Sequence, residues 1–400
     1  MRLRIKSNSR VYHTMKSSLS EKVNTFIPVN TPFLNGSEKR YLQECIDSGW
    51  ISSEGPFVNE FEKKFADLVE RRYAISVTSG TAALEVAVTA AGIKLGDEVI
   101  MPTFTIISCI TPLIRVGAVP VFVDTDLGTW NMSVDQIEGK ITSRTKAIMA
   151  VHTYGLPVDM DPVLDIAEAH DLIVIEDAAE AIGLDYKNKA CGIFGDLSTF
   201  SFYPNKLITT GEGGMIVTNN ERVAEKCRSL RNLCFQSEKR FVHEELGWNF
   251  RMTNLQAALG LAQLDRLDQS IQKKRWIGRR YTEVLSDLED IIQLPCHKTE
   301  YAENIYWVYG IVLREKLSEM NADMVMQELK THGIGTRPFF WPMHEQPAFL
   351  QSNLFCNESY LVAERIARKG FYIPSGLGLE EDDVNKVAEV VKKVLSNFCD

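Results

Sequence analysis

Between Tyr73 and Thr218 the chain alternates short unbroken apolar runs with stretches of helical period. Tyr73 to Val77, Glu98 to Met101, Val119 to Val123, Lys146 to Val151, Leu172 to Glu176, Leu197 to Tyr203 and Met215 to Thr218 are the runs. Ala82 to Ala91, Ile106 to Gly117 and Asp161 to His170 are the helical stretches between them. Strands that are apolar throughout, rather than alternating, predict a mostly parallel sheet covered on both faces. Upstream, Ser37 can cap a helix running to about Asp47, and Val58 to Arg71 places Phe61, Phe65 and Leu68 on one helical face. Downstream, a long helical stretch from Asn254 to Leu288 leads out of the sheet. A different pattern follows: a strand at Trp307–Leu313, a helix at Met320–His332, a loop at Thr336–Gln346, and helices at Tyr360–Lys369 and Asp382–Phe398. The expected class is α/β, with a large domain over 26–269 and a smaller α+β domain over 270–400.

Composition narrows the reading. The 400 residues are 45% apolar and 24% charged, as in an ordinary globular protein with a large core. A net charge of −9 argues against a nucleic-acid binder but leaves room for anionic small ligands. Eight cysteines are scattered without a Cys-x-x-Cys pair or metal-ligand spacing, so the expectation is reduced thiols, no metal and a cytoplasmic protein. No apolar run approaches the ~20 residues that span a bilayer. In residues 1–25, Arg2, Arg4, Lys6, Arg10, Lys16 and Lys22 face a single acid, Glu21. That stretch has the composition of a transit peptide or of a disordered basic extension, and Met15 offers an alternative start.

In parallel sheets ligands bind beyond the carboxyl ends of strands. Thr78–Thr81, Asp124, His152, Asp177 and Lys206 all lie just past or between the runs, so they are expected at one edge. Lys206 sits on a turn between apolar strands, followed by Thr209-Thr210-Gly211-Glu212-Gly213-Gly214. Such a lysine either tops a hairpin towards solvent or reaches a pocket where lost hydration lowers its pKa and makes it a Schiff-base nucleophile. Thr78-Ser79-Gly80-Thr81 opens a helix and is either an ordinary cap or an anion site of backbone N–H groups and hydroxyls. Asp177 ends an apolar strand and needs a cation, an arginine or a protonated ring nitrogen. An anion cradle, a carboxylate and a turn-borne lysine on one α/β sheet are the three attachments pyridoxal phosphate requires. The first strand lacks the Gly-x-Gly-x-x-Gly turn of a nicotinamide site.

From Phe26 to the C-terminus the chain resembles the DegT/DnrJ/EryC1/StrS family of sugar-nucleotide aminotransferases, of the aspartate-aminotransferase fold type I. The blocks that carry the likeness are Gly49-Trp50-Ile51-Ser52-Ser53, Thr78-Ser79-Gly80-Thr81, His152-Thr153-Tyr154-Gly155, Glu176-Asp177-Ala178-Ala179-Glu180, Ser201-Phe202-Tyr203-Pro204-Asn205-Lys206, Thr209–Gly214 and Gly247–Thr253. The resemblance implies that Lys206 is the Schiff-base lysine and proton shuttle, and that Asp177 pairs with the pyridinium nitrogen. It implies that Ser79, Gly80, Thr81 and Ser201 hold the phosphate and that Phe104 lies near the ring. Glu180 stands beside the cofactor hydroxyl, where many members have glutamine. Asn249 and Arg251 would come from the neighbouring subunit of a homodimer. Trp50, Ser52, His152, Arg251, Arg337 and His344 are the implied substrate contacts.

The implied reaction is ping-pong transfer from L-glutamate to a nucleotide-linked keto sugar. The loop Arg337–His344 resembles that of members acting on the C4 ketone of GDP-4-keto-6-deoxymannose. Amination at C3, and UDP- or dTDP-linked sugars, remain open, as does a non-catalytic cofactor-binding regulator. Members that eliminate instead of transaminating carry histidine at the position of Lys206.

Overall fold

The computed structural model describes residues 26–236, 238–317 and 319–397, so the basic segment 1–25 lies outside the described residues. Seven strands form one sheet: β1 (Tyr73–Val77), β2 (Glu98–Pro102), β3 (Val119–Val123), β4 (Thr145–Val151), β5 (Ile173–Asp177), β8 (Leu197–Ser201) and β9 (Gly214–Thr218). A separate hairpin, β6 (Asp185–Tyr186) and β7 (Lys189–Ala190), lies between β5 and β8. The sheet order is β1-β9-β8-β5-β4-β2-β3, and β9 alone runs against the rest. The crossovers carry helices α3 (Gly80–Ala90), α4 (Thr111–Val116) and α5 (Met160–Ala169). Preceding the sheet are α1 (Glu38–Ser48) and α2 (Pro56–Leu68); following it are α6 (Glu221–Arg231) and α7 (Asn254–Leu264).

The unbroken apolar runs now have their reason. Ile100, Ile148 and Val174 point into the cluster containing Phe61 and Phe65 of α2. Their neighbours Met101, Met149 and Ile175 point into another, with Leu84 and Val88 of α3. Both faces are buried, and each such side chain contributes about 1.5–3 kcal/mol. The strand ends therefore form an edge where polar side chains can face a cavity.

The helix α8 (Leu267–Leu285) leads to a four-stranded antiparallel sheet of order β10-β11-β13-β12. These strands are β10 (Ile292–Gln293), β11 (Tyr309–Leu313), β12 (Arg337–Pro338) and β13 (Gly370–Ile373). Helices α9 (Ala322–Thr331), α10 (Pro347–Leu350), α11 (Leu361–Lys369) and α12 (Glu381–Ser396) complete this part.

Two expectations are corrected. The stretch Asn254–Leu288 is two helices, broken where Arg266 takes φ −124°. The helix expected from Ile106 begins only at Thr111, with Pro112 in its first turn, after a single tighter turn at Ile107–Cys109. Packing crosses residue 270. Ile27 bridges Ile334 and joins the core behind the second sheet, while Trp307, Val308 and Phe339 pack into the core of the first. Among the described residues, all cysteines are free thiols, and no helix is long and apolar enough to cross a membrane.

Candidate active site

A cavity of about 350 Å³ opens at the carboxyl edge, between the large sheet and the second one. β8 ends at Ser201, and the chain turns so that the Lys206 N–H donates to the Tyr203 carbonyl at 2.9 Å. The Lys206 side chain is 11% exposed. Its Nζ lies 3.3 Å from Glu180 Oε1 and 3.8 Å from the ring centroid of Trp307. The amine points into the cavity, so the solvent-facing hairpin is not the structure adopted.

β5 delivers Asp177 and, three residues on, Glu180. Asp177 Oδ1 accepts from the Ala179 N–H at 3.0 Å, and Oδ2 accepts from the thiol of Cys109 at 3.1 Å. Among the described residues, neither oxygen pairs with an arginine. Burial, with the charge of Asp177, pushes the Cys109 thiol up, which keeps it a neutral donor. Burial also raises Glu180, from its ordinary 4.5 to about 7, although the charge of Lys206 and the Tyr154 N–H pull the other way.

Opposite stands the N-terminus of α3. Ser79 caps it, its Oγ accepting from the Ala82 N–H at 3.1 Å. The first N–H groups of a helix have no partner within it and carry its positive end. Thr81 and Ser108 share a hydroxyl hydrogen bond of 2.9 Å at the same wall. Gly80 is required: a Cβ there would stand 2.8 Å from the Cβ of Ser201. Two buried polar atoms on the cavity wall, Thr199 Oγ1 and Asn205 Oδ1, have no hydrogen-bond partner among the described residues.

The DegT/DnrJ/EryC1/StrS aminotransferase family matches residues 33–392, nearly the whole described chain and all of this cavity. The chain belongs to this family. It is thus an aminotransferase of the type I fold. It is 43% identical over 369 residues to the GDP-perosamine synthase of Caulobacter vibrioides, covering 92% of this chain and 98% of that protein. It is 41% identical to the GDP-perosamine synthase of Escherichia coli O157:H7, covering 93% and 99%. Among solved structures it resembles Helicobacter pylori PseC, an aminotransferase involved in the biosynthesis of pseudoaminic acid, at TM-score 0.88 and 25% identity over 93% and 100% of the two chains. It also resembles DesI, solved with its TDP-sugar product, at TM-score 0.84 and 30% identity over 94% of each.

Of the residues the family resemblance singled out, Ser79, Gly80, Thr81, His152, Asp177, Glu180, Ser201 and Lys206 line the cavity. Others do not. Phe104 is 1% exposed and packs on Tyr154, Phe339 and Phe340 behind the wall, whereas Ile106 faces the cavity. His152 forms part of the wall but spends both ring nitrogens internally, on Glu176 at 2.9 Å and on the Val158 N–H at 3.2 Å. His344 is buried away from the cavity between Thr103 at 2.7 Å and Glu364 at 3.2 Å. Asp124, expected at the same edge, instead caps α11 through the N–H groups of Val362 and Ala363.

Trp50, Ser52, Asn249, Arg251 and Arg337 lie outside the cavity of their own chain. Trp50 is 49% exposed, and the carbonyls of Trp50 and Ser52 are held by Asn254. Arg251 donates to Asn232 at 2.7 Å, and Asn249 bridges Asn232. Arg337 stands opposite Tyr372, a wall residue, in the β12–β13 register. Trp307, Tyr372, Thr199 and Ile106 were not anticipated as wall residues. Of these, Tyr372 lies in β13 of the second sheet and Trp307 just before β11, and no local pattern announces their approach.

Proposed function

We propose that this aminotransferase uses pyridoxal phosphate to carry an amino group from L-glutamate to the C4 ketone of GDP-4-keto-6-deoxymannose, giving GDP-perosamine. The observation that carries the cofactor assignment is the gathering of an amine, a carboxylate and a helix N-terminus around one cavity with two orphaned polar atoms. When bound, pyridoxal phosphate supplies an aldehyde for the amino group and a ring that takes up electrons from the substrate's Cα–H bond.

The residues fit that group. The N–H groups opening α3, with Thr81, Ser108 and Ser201, would hold its phosphate. Asp177 would hold the proton on its ring nitrogen, with Cys109 orienting the carboxylate from behind. Among the described residues Lys206 is the only lysine on the cavity wall, and it would hold its aldehyde. Once released, its amine takes a proton from the carbon of one substrate and returns a proton to the carbon of the other. Glu180 keeps that amine close by its carboxylate oxygen. Water is excluded on one side by Trp307, Phe340 and Tyr372.

The sugar assignment rests on the two relatives of 43% and 41% identity, both GDP-perosamine synthases. The protein acts in the cytoplasm as a homodimer in which Asn249 and Arg251 of a second copy complete each site. Their placement outside their own cavity supports that reading.

The test is a panel of 4-keto and 3-keto 6-deoxy sugars linked to GDP, UDP and dTDP, each incubated with the enzyme and glutamate. The amino sugar should form from GDP-4-keto-6-deoxymannose. Product from a 3-keto sugar alone, or from UDP- or dTDP-sugars alone, overturns the assignment.

A further inference from the structure

Lys206 has a contact from outside the large sheet. Trp307, just before β11, is 5% exposed. Its ring centroid lies 3.8 Å from Lys206 Nζ, and its indole N–H donates to the Asn205 carbonyl at 2.8 Å. One side chain therefore touches the amine and fixes the peptide that leads into it.

Trp307 is itself held on three sides. Tyr154 stacks on it with centroids 6.0 Å apart and planes at 27°. Gly155, at φ +94°, approaches so closely that a Cβ would stand 2.5 Å from the Trp307 nitrogen. Lys274 of α8 donates to the Trp307 carbonyl at 2.8 Å. Lys274 is 4% exposed, and its remaining bonds go to the Ser375 carbonyl at 2.6 Å and the Ser375 hydroxyl at 3.4 Å. An ammonium has three donors, and here each has an acceptor. A buried ammonium is nevertheless a costly fastening for a loop. Burial alone pushes Lys274 down to about 7. A methionine or leucine would fill the same volume without that penalty, so a role for the three bonds is implied.

We infer that the Trp307 face is the docking place of the free Lys206 ammonium, and that Lys274 is a positioning residue that holds this face by its backbone. The inference rests on Lys206 being the catalytic amine. An aromatic face attracts an ammonium more strongly than a neutral amine. Glu180 faces the same nitrogen from the other side. In the cofactor-free protein the lysine is thereby held at the cavity wall between the two. The other titratable groups around it are Asp177, His152 and Tyr154 beyond the parallel strands, Tyr203 and Glu212 on the lysine's own loop, Tyr372 on β13 and Lys274 on α8.

Three variants of the full chain test this. Trp307→Leu removes face and donor, Trp307→Phe leaves a weaker face, and Lys274→Met keeps volume and drops the ammonium. In the cofactor-free protein, the rate of Lys206 acetylation by acetic anhydride at one fixed pH, followed by peptide mass spectrometry, reports how firmly the lysine is held. The rate should rise about tenfold in Trp307→Leu and about threefold in Trp307→Phe, from the usual strength of such contacts. Lys274→Met should change the rate in the same direction. In the holoenzyme, kcat should drop about tenfold in Trp307→Leu while KM for glutamate moves less than about twofold. An unchanged acetylation rate in the Trp307 variants overturns the inference. If Trp307→Leu does not fold, an unchanged rate in Trp307→Phe is sufficient to overturn it. Transamination retained by Lys206→Ala would overturn the assignment of the catalytic lysine instead, and the acetylation result is independent of it.

Discussion

Glu180 Oε1 lies 3.3 Å from Lys206 Nζ, while its other oxygen accepts from the Tyr154 N–H at 2.8 Å. The carboxylate thus links the lysine turn after β8 to the turn after β4. Because Glu180 titrates at about 7 in the folded chain and near 4.5 otherwise, the native state holds a proton that the unfolded state releases. Its contribution is fully present below about 4.5 and is lost as pH rises through about 7, on the order of 3 kcal/mol in all. Urea unfolding of the cofactor-free protein should show this decline between pH 4.5 and 7. Glu180→Gln should remove that slope while retaining transamination, since an amide still accepts from Tyr154.

Glu176, one residue before Asp177, is expected to be among the most sensitive positions to substitution. Burial would raise its carboxyl, but the hydrogen bond from His152 and the N–H groups of Gly195 and Gly192 overturn that and hold it at about 2. Phe194 N–H and Ser198 Oγ donate to it as well, both at 2.9 Å. Glu176→Ala leaves these donors buried and unpaired, so a loss of about 3–5 kcal/mol is expected in urea denaturation. Glu176→Gln should lose less. With a depressed folded pKa, the stability due to Glu176 is present above about 4.5 and disappears as pH falls towards 2.

Gly80→Ala should separate cofactor affinity from folding. The new methyl meets Ser201 at 2.8 Å and moves the start of α3 relative to β8. Overpacking of this kind costs about 1–3 kcal/mol, so affinity for pyridoxal phosphate should weaken roughly tenfold or more, measured by equilibrium titration. A wild-type affinity would mean that α3 does not hold the phosphate.

If Asn249 of a second copy completes each site, as proposed, complementation follows. Lys206→Ala and Asn249→Ala homodimers should each be impaired. When mixed and allowed to exchange subunits, heterodimers regain one native site, and transaminase activity should rise above either parent. No gain on mixing, with exchange confirmed by mass spectrometry, would mean that Asn249 serves its own chain.

Much of the large sheet was legible because burial on both faces leaves an unbroken apolar signature, and strand ends then mark the site. Lys206 and Asp177 stood out as charges against that signature. What was missed depends on contacts distant in sequence. β13 is four residues long and follows α11 directly, too short for a periodic pattern, yet it is central to the second sheet. His344 was expected in the site, but its burial is decided by Thr103, 241 residues away. Phe104 and Ile106 could not be told apart because β2 ends at Pro102 and strand alternation no longer says which faces inward. Trp307 falls in the strand expected at Trp307–Leu313, and only the docking of the second sheet brings its ring to the amine.

The central claim is that Lys206 carries the amino-transfer chemistry of this family. The most direct measurement is the visible spectrum of the purified holoenzyme on adding L-glutamate, with 2-oxoglutarate quantified in parallel, for the wild type and Lys206→Ala. The wild type should lose its long-wavelength cofactor band as 2-oxoglutarate forms. Lys206→Ala should still bind pyridoxal phosphate, more weakly, and form no 2-oxoglutarate. A wild-type yield of 2-oxoglutarate from Lys206→Ala, or a wild type whose bound cofactor does not respond to glutamate or any other amino donor, would contradict the account.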